Sequence, residues 1–203
     1  MPETGPTAFV GDSLTADGRW EEWFPDRDVS NLGVAGETTD QLLERLDDII
    51  ASRPHTIVLL TGTNDLVWRA PVERIVRNIE MVLHRLRRDL PDALILVQSV
   101  LPRERAFASR IQDINRHLWQ FAPTVKARYL DLWPALASAN GEINPAYSED
   151  GVTLNDTGYD AWLAELRPAL ELLRAAPPVT GTIPLPDAAA LHAYEERRAS
   201  NEA

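Results

Sequence analysis

Two kinds of segment alternate along the chain: short β-rich runs, and longer stretches in which apolar residues recur every three or four positions. The short runs are residues 8–10, 28–34, 56–60 (TIVLL), 93–100 (ALILVQSV) and 128–132. A run such as TIVLL is too short for a helix and apolar at nearly every position, as expected of a strand covered on both faces of a parallel sheet. In the longer stretches, residues 39–52 carry Leu42, Leu43, Leu46, Ile49 and Ile50 at helical spacing, with Thr38 or Thr39 as N-cap and Pro54 just beyond the end. Residues 71–89 carry Val72, Ile75, Val76, Ile79, Leu83 and Leu86, with Pro71 suited to the first turn and Pro91 as the stop. Further helices are predicted over 106–121 and 157–174, the last interrupted at Pro168.

Strand and helix in alternation require right-handed crossovers and place helices on both faces of the sheet. The expected fold is α/β: a three-layer α/β/α sandwich around a mostly parallel five-stranded sheet, with ligands bound beyond the carboxyl ends of the strands. A domain is expected over residues 1–176. Over 177–203, Pro177, Pro178, Pro184 and Pro186 form an extended linker before a helical candidate at 187–199. Arg85, Arg87 and Arg88 read as a solvated helix face.

Composition narrows the function. The 203 residues carry 20 Lys plus Arg against 31 Asp plus Glu, a formal net charge of −11. Nucleic acid is therefore not an expected partner, since binding a polyanion begins with a basic field. The absence of cysteine excludes disulfides, a cysteine nucleophile and thiolate zinc sites. Residues 1–5 lack the basic region and apolar run of a signal peptide, and nowhere do 18 apolar residues follow one another. The expectation is a soluble cytoplasmic protein with no membrane insertion. Its oligomeric state is left open, a homodimer included.

Candidate chemistry lies in four polar segments at strand ends or helix starts: GDSLTADG at 11–18, NLGVAGETT at 31–39, GTND at 62–65 and EDGVTLNDTGY at 149–159. In this fold they would meet at one rim. Together they resemble the SGNH (GDSL) hydrolase family, and the arrangement is most similar to the single-domain esterases of the platelet-activating-factor acetylhydrolase type. The resemblance spans nearly all of residues 8–174 and implies a serine ester hydrolase that uses no metal or cofactor. The substrate would be a small-molecule ester: a short-chain acyl ester, an acetylated sugar or a lysophospholipid.

Carried over by position, the resemblance makes Ser13 the nucleophile, forming an acyl-enzyme. Gly36 and Asn64 match the oxyanion-hole positions, acting with the Ser13 backbone N–H. Taken singly, each has a plainer reading: Ser13 as a helix cap, Gly36 as a left-handed turn and Asn64 as a loop cap. Asp12 and Asp65 read as structural groups bonding loop N–H donors. Trp20, Trp23, Phe24 and Trp68 lie near these loops as candidate walls of an apolar acyl pocket, with core burial the expected fate of at least half.

The fourth segment departs from the pattern. The family carries Asp, two residues, then His as general base. Here Asp150 is present but Thr153 stands at the histidine position. A threonine hydroxyl cannot take a proton from Ser13 near neutral pH, so turnover is expected to be very low. Of the four histidines, His55 precedes its strand, His84 and His117 lie within helices, and His192 is in the tail. None is placed to substitute. Two alternatives stay open: a non-catalytic binding protein on the same scaffold, and direct activation of Ser13 by Asp150.

Overall fold

The computed structural model describes residues 5–179, so the tail helix over 187–199 and His192 lie outside the described residues. The β-rich runs form β1 (Thr7–Gly11), β2 (Val29–Gly33), β3 (Thr56–Leu60), β4 (Leu94–Gln98) and β5 (Ala127–Leu130). They make one five-stranded, wholly parallel sheet in the order β2-β1-β3-β4-β5. Between them run α1 (Ser13–Ala16), α2 (Trp20–Trp23), α3 (Thr39–Glu44), α4 (Leu46–Ala51), α5 (Thr63–Val67), α6 (Val72–Asp89) and α7 (Ala108–Phe121), and α8 (Trp133–Leu136) and α9 (Asp156–Ala175) follow β5.

Successive strand residues point to opposite faces, and the core divides accordingly. Ala8, Val10, Ile57, Leu59, Ile95 and Val97 meet α3, α4, α6 and α7 through Leu42, Leu46, Ile79, Leu83 and Ile114. Phe9, Val58, Leu60 and Leu96 face the other way, onto Trp20, Trp162, Leu166 and Leu170. β1 and β3 are buried throughout, which is why their sequences carry no polar alternation.

Several local expectations need correction. The helix expected over 39–52 is two, divided at Arg45, whose backbone (φ −98, ψ 6) leaves the helical range and whose guanidinium turns back to Glu37 and the Leu32 carbonyl. Pro71 is the N-cap of α6, just outside the first turn. Pro168 lies inside α9, which continues through it. Arg87 is not a solvated residue: it donates to the carbonyls of Leu90, Pro91, Ala93, Val125 and Lys126, clamping the segments that lead into β4 and β5. Arg88 does lie exposed and pairs with Asp89, whereas Arg85 is half-buried and pairs with Asp47.

Candidate active site

Because the sheet is parallel and in register, with Gly11 opposite both Gly33 and Leu60, β1, β2 and β3 end side by side. The strand order turns about β1 and β3, the crevice where parallel α/β sheets bind ligands. Ser13 is the first residue of α1, directly beyond β1. It is half-buried, and its hydroxyl makes no hydrogen bond among the described residues. The turn that presents it is tightly constrained. A Cβ on Gly33 would fall 2.2 Å from the Ala16 nitrogen, so β2 abuts α1 backbone to backbone, and Val34 N–H donates to the Gly11 carbonyl over 2.8 Å.

Asp12 caps α1 by accepting from Leu14 N–H at 3.1 Å. It is only 1% exposed, and its second oxygen is buried without a well-formed hydrogen bond. Burial therefore pushes its carboxyl up to about 7, opposed by Leu14 N–H and the nearby Thr63 hydroxyl.

Gly36 stands exposed in the loop after β2 at φ +76, a left-handed conformation that favours glycine. Nothing lies within 4 Å of the position a side chain would occupy. Asn64 sits in the first turn of α5 and donates one amide hydrogen to the Glu37 carbonyl at 2.9 Å. Its amide carries two hydrogens; this bond orients the group and leaves the second N–H uncommitted. The loop is held from beneath by Asp65, which accepts Thr39 N–H at 2.9 Å and Thr39 Oγ1 at 2.6 Å, while Asn78 of α6 donates to that same hydroxyl at 2.9 Å. Asp12 and Asp65 thus bond loop N–H groups as expected.

Asp150 is exposed and lies in a nest of donors. Val152 N–H (2.8 Å), Thr153 N–H (2.7 Å) and Ser148 Oγ (3.2 Å) reach one oxygen, and Thr153 Oγ1 (2.7 Å) reaches the other. The Thr153 hydroxyl above all, then these N–H groups, holds the carboxyl well below the usual carboxylate range. Such a carboxylate is a weak base, which argues against direct activation of Ser13. No hydrogen bond joins Ser13 to Asp150 or Thr153 among the described residues. The segment is nonetheless tied to the serine turn: Tyr159 Oη donates to the Leu14 carbonyl at 2.8 Å, and Asn155 caps α9 through Gly158 N–H.

The expected acyl-pocket wall is mostly core. Trp20 and Phe24 are buried against Phe9 and Trp162, and the half-buried Trp23 packs on Trp20 and Tyr159. Trp68 alone of the four is exposed. It lines a cavity of about 510 Å³ that also touches Gly36 and Asp65. Sequence reasoning missed Glu37, which is 3% exposed and paired with Arg45, and Arg103, buried near the Thr63 carbonyl. Asn78 did leave a signal, a polar residue among the buried positions of α6. Among the described residues no cluster of three or more His, Cys, Asp or Glu could hold a metal ion, and no helix is long and apolar enough to cross a membrane.

A Gly-Asp-Ser turn at the switch point of a doubly wound parallel sheet, flanked by a glycine loop and an asparagine turn from the adjoining strands, defines the acylhydrolase class of three-layer α/β proteins. The chain belongs to the GDSL-like lipase/acylhydrolase family, which it matches over residues 9–161. It is 27% identical over 192 residues to platelet-activating factor acetylhydrolase IB subunit alpha1 of Rattus norvegicus, covering 89% of this chain and 81% of that one. It is 32% identical over 161 residues to the rat subunit alpha2, covering 74% and 69%. Among solved structures, a GDSL-like lipase from Bacteroides thetaiotaomicron superposes with a TM-score of 0.72 at 25% identity, over 84% of this chain and 90% of that one.

Proposed function

We propose that the chain is a serine ester hydrolase scaffold in which Ser13 is the nucleophile and the Ser13 N–H, the Gly36 N–H and the free Asn64 amide hydrogen form the oxyanion hole. The observation that supports this best is that the segments carrying these three residues follow three adjacent parallel strands, with the Asn64 amide oriented by the Glu37 carbonyl next to Gly36. Donors fixed before the reaction stabilise developing charge without reorganising. In acylation Ser13 Oγ bonds to the carbonyl carbon, the alcohol oxygen departs and takes up a proton, and water later releases the acid.

Thr153 occupies the place of the base, so the proton on Ser13 has no efficient acceptor. Where triad members act as a unit, loss of one can cost as much as about 10⁶-fold in turnover, about 8 kcal/mol. A second reading, a non-catalytic binding protein, draws support from the closed Thr153–Asp150 hydrogen bond, which leaves Asp150 with no imidazole to orient. Fluorophosphonate labelling separates the two. Capture of Ser13 with slow p-nitrophenyl acetate hydrolysis supports the impaired enzyme; no capture together with saturable ester binding overturns it in favour of the binding protein.

A further inference from the structure

We infer that Asn78, on α6 and outside the four polar segments, is a positioning residue: it sets where the Gly36 loop stands relative to Asn64, and so the spacing of the two oxyanion donors. This deepens the ester-hydrolase reading and rests on it.

Gly36 and Asn64 lie on separate elements, and two contacts tie those elements together. Asn64 donates to the Glu37 carbonyl at 2.9 Å. Asp65, the next residue, accepts the N–H and the hydroxyl of Thr39, at 2.9 and 2.6 Å, and Thr39 opens α3 directly after the Gly36 loop. The second contact depends on where one hydroxyl proton points. A threonine hydroxyl carries a single proton and rotates to suit its surroundings. Asn78 removes that freedom: its amide donates to Thr39 Oγ1 at 2.9 Å, so the hydroxyl proton is left for Asp65.

The same amide nitrogen donates to Asp40 Oδ1 at 3.0 Å, and Arg74, one turn earlier on α6, holds Asp40 Oδ2 at 2.8 Å. Consecutive residues of the first turn of α3 are thereby registered on α6. The other donor rests on the same helix. A Cβ on Gly62, the left-handed N-cap of α5 (φ +113), would stand 3.3 Å from Ile75 and 3.5 Å from Ile79, and these two residues flank Asn78 on the buried side of α6. Thus α5 meets α6 by apolar contact and α3 is fixed to it by hydrogen bonds.

Packing alone does not call for an amide at this place. Asn78 is 4% exposed among Ile75, Val76, Ile79 and Val82, where a leucine of similar shape would bring no polar atoms that need partners. What the amide adds is direction. Direction matters at an oxyanion hole, because a misplacement of about 1 Å can cost about 100-fold in rate.

The test reads the oxyanion hole itself. Ser13 of the full chain is labelled with a fluorophosphonate, and the phosphorus resonance of the adduct reports hydrogen bonding to its phosphoryl oxygen. Asn64→Ala should move that resonance, and Asn78→Leu should move it in the same direction. In the Thr153→His chain, Asn78→Leu should lower kcat for p-nitrophenyl acetate at least about tenfold with KM changed less than about twofold. Once Asn64→Ala is present, the same substitution should lower kcat less than about threefold. Thr39→Val should match Asn78→Leu, whereas Thr39→Ser, which keeps the hydroxyl, should stay near the parent. Equal melting temperatures show which variants are folded; where Asn78→Leu is not, the two Thr39 variants decide. A resonance that moves with Asn64→Ala but not with Asn78→Leu, or a kcat loss of the same size with and without Asn64, overturns the positioning role and leaves the hydrolase reading intact. No labelling of Ser13 overturns the hydrolase reading and the positioning role with it.

Discussion

The Thr153 hydroxyl donates to Asp150 Oδ2 at 2.7 Å while the Thr153 N–H donates to Oδ1 of the same carboxylate at 2.7 Å. One residue thus engages both oxygens, and a carboxylate that would otherwise orient a base is satisfied by its own turn. Thr153→His frees Oδ2 to accept from an imidazole while the backbone N–H bonds remain. General base catalysis contributes about 10²- to 10⁴-fold, so p-nitrophenyl acetate hydrolysis should rise at least 100-fold. No rise in a folded Thr153→His protein would count against the latent site.

Asn64 spends one amide hydrogen on Glu37 and keeps the other. In the Thr153→His background, Asn64→Ala removes that free donor and should lower kcat by about 100- to 1,000-fold. The KM for a small ester should change much less, because the donor acts on charge that develops only in the transition state. Steady-state kinetics measure both.

Asp12 makes stability depend on pH. Its carboxyl titrates at about 7 in the fold against 3.8 when exposed, so the folded state holds the proton more tightly. The stabilisation is fully present below about pH 4 and is lost as pH rises toward 7. Asp12→Asn can still cap α1 and carries no charge. Relative to the parent it should gain stability steadily from pH 4 to pH 7, approaching on the order of 4 kcal/mol, with Glu37 and Arg103 as the charged neighbours that modulate the gain. Urea unfolding at pH 4.5 and pH 8 measures the difference.

Arg45 neutralises Glu37 beneath the Gly36 loop. Arg45→Met leaves a carboxylate only 3% exposed without its cation and should cost about 3–5 kcal/mol. Adding Glu37→Gln removes the stranded charge and should restore much of that loss. Chemical denaturation of the single and double variants tests the coupling.

The parallel strands and long helices were legible because burial on both faces, or on one stripe, imposes a pattern that local sequence must carry. The short helices α1, α2, α5 and α8 were not, since four or five residues fit no period. Arg87 shows a different limit: an arginine among arginines looks solvated, and only the fold brings the carbonyls of Val125 and Ala93 within its reach. The contact of Asp150 with Thr153 spans only three residues, yet from sequence Thr153 stood out only as the replacement of a base. The anchoring of Asn64 by Glu37 spans 27 residues and left no local trace.

The abutment of Gly33 on Ala16 means that the height of the Ser13 hydroxyl is governed from a neighbouring strand by a residue that carries no side chain. Even a single methyl there would act as a wedge, lifting the serine out of alignment while every functional group kept its identity. Any redesign of this scaffold therefore has to treat position 33 as part of what positions Ser13.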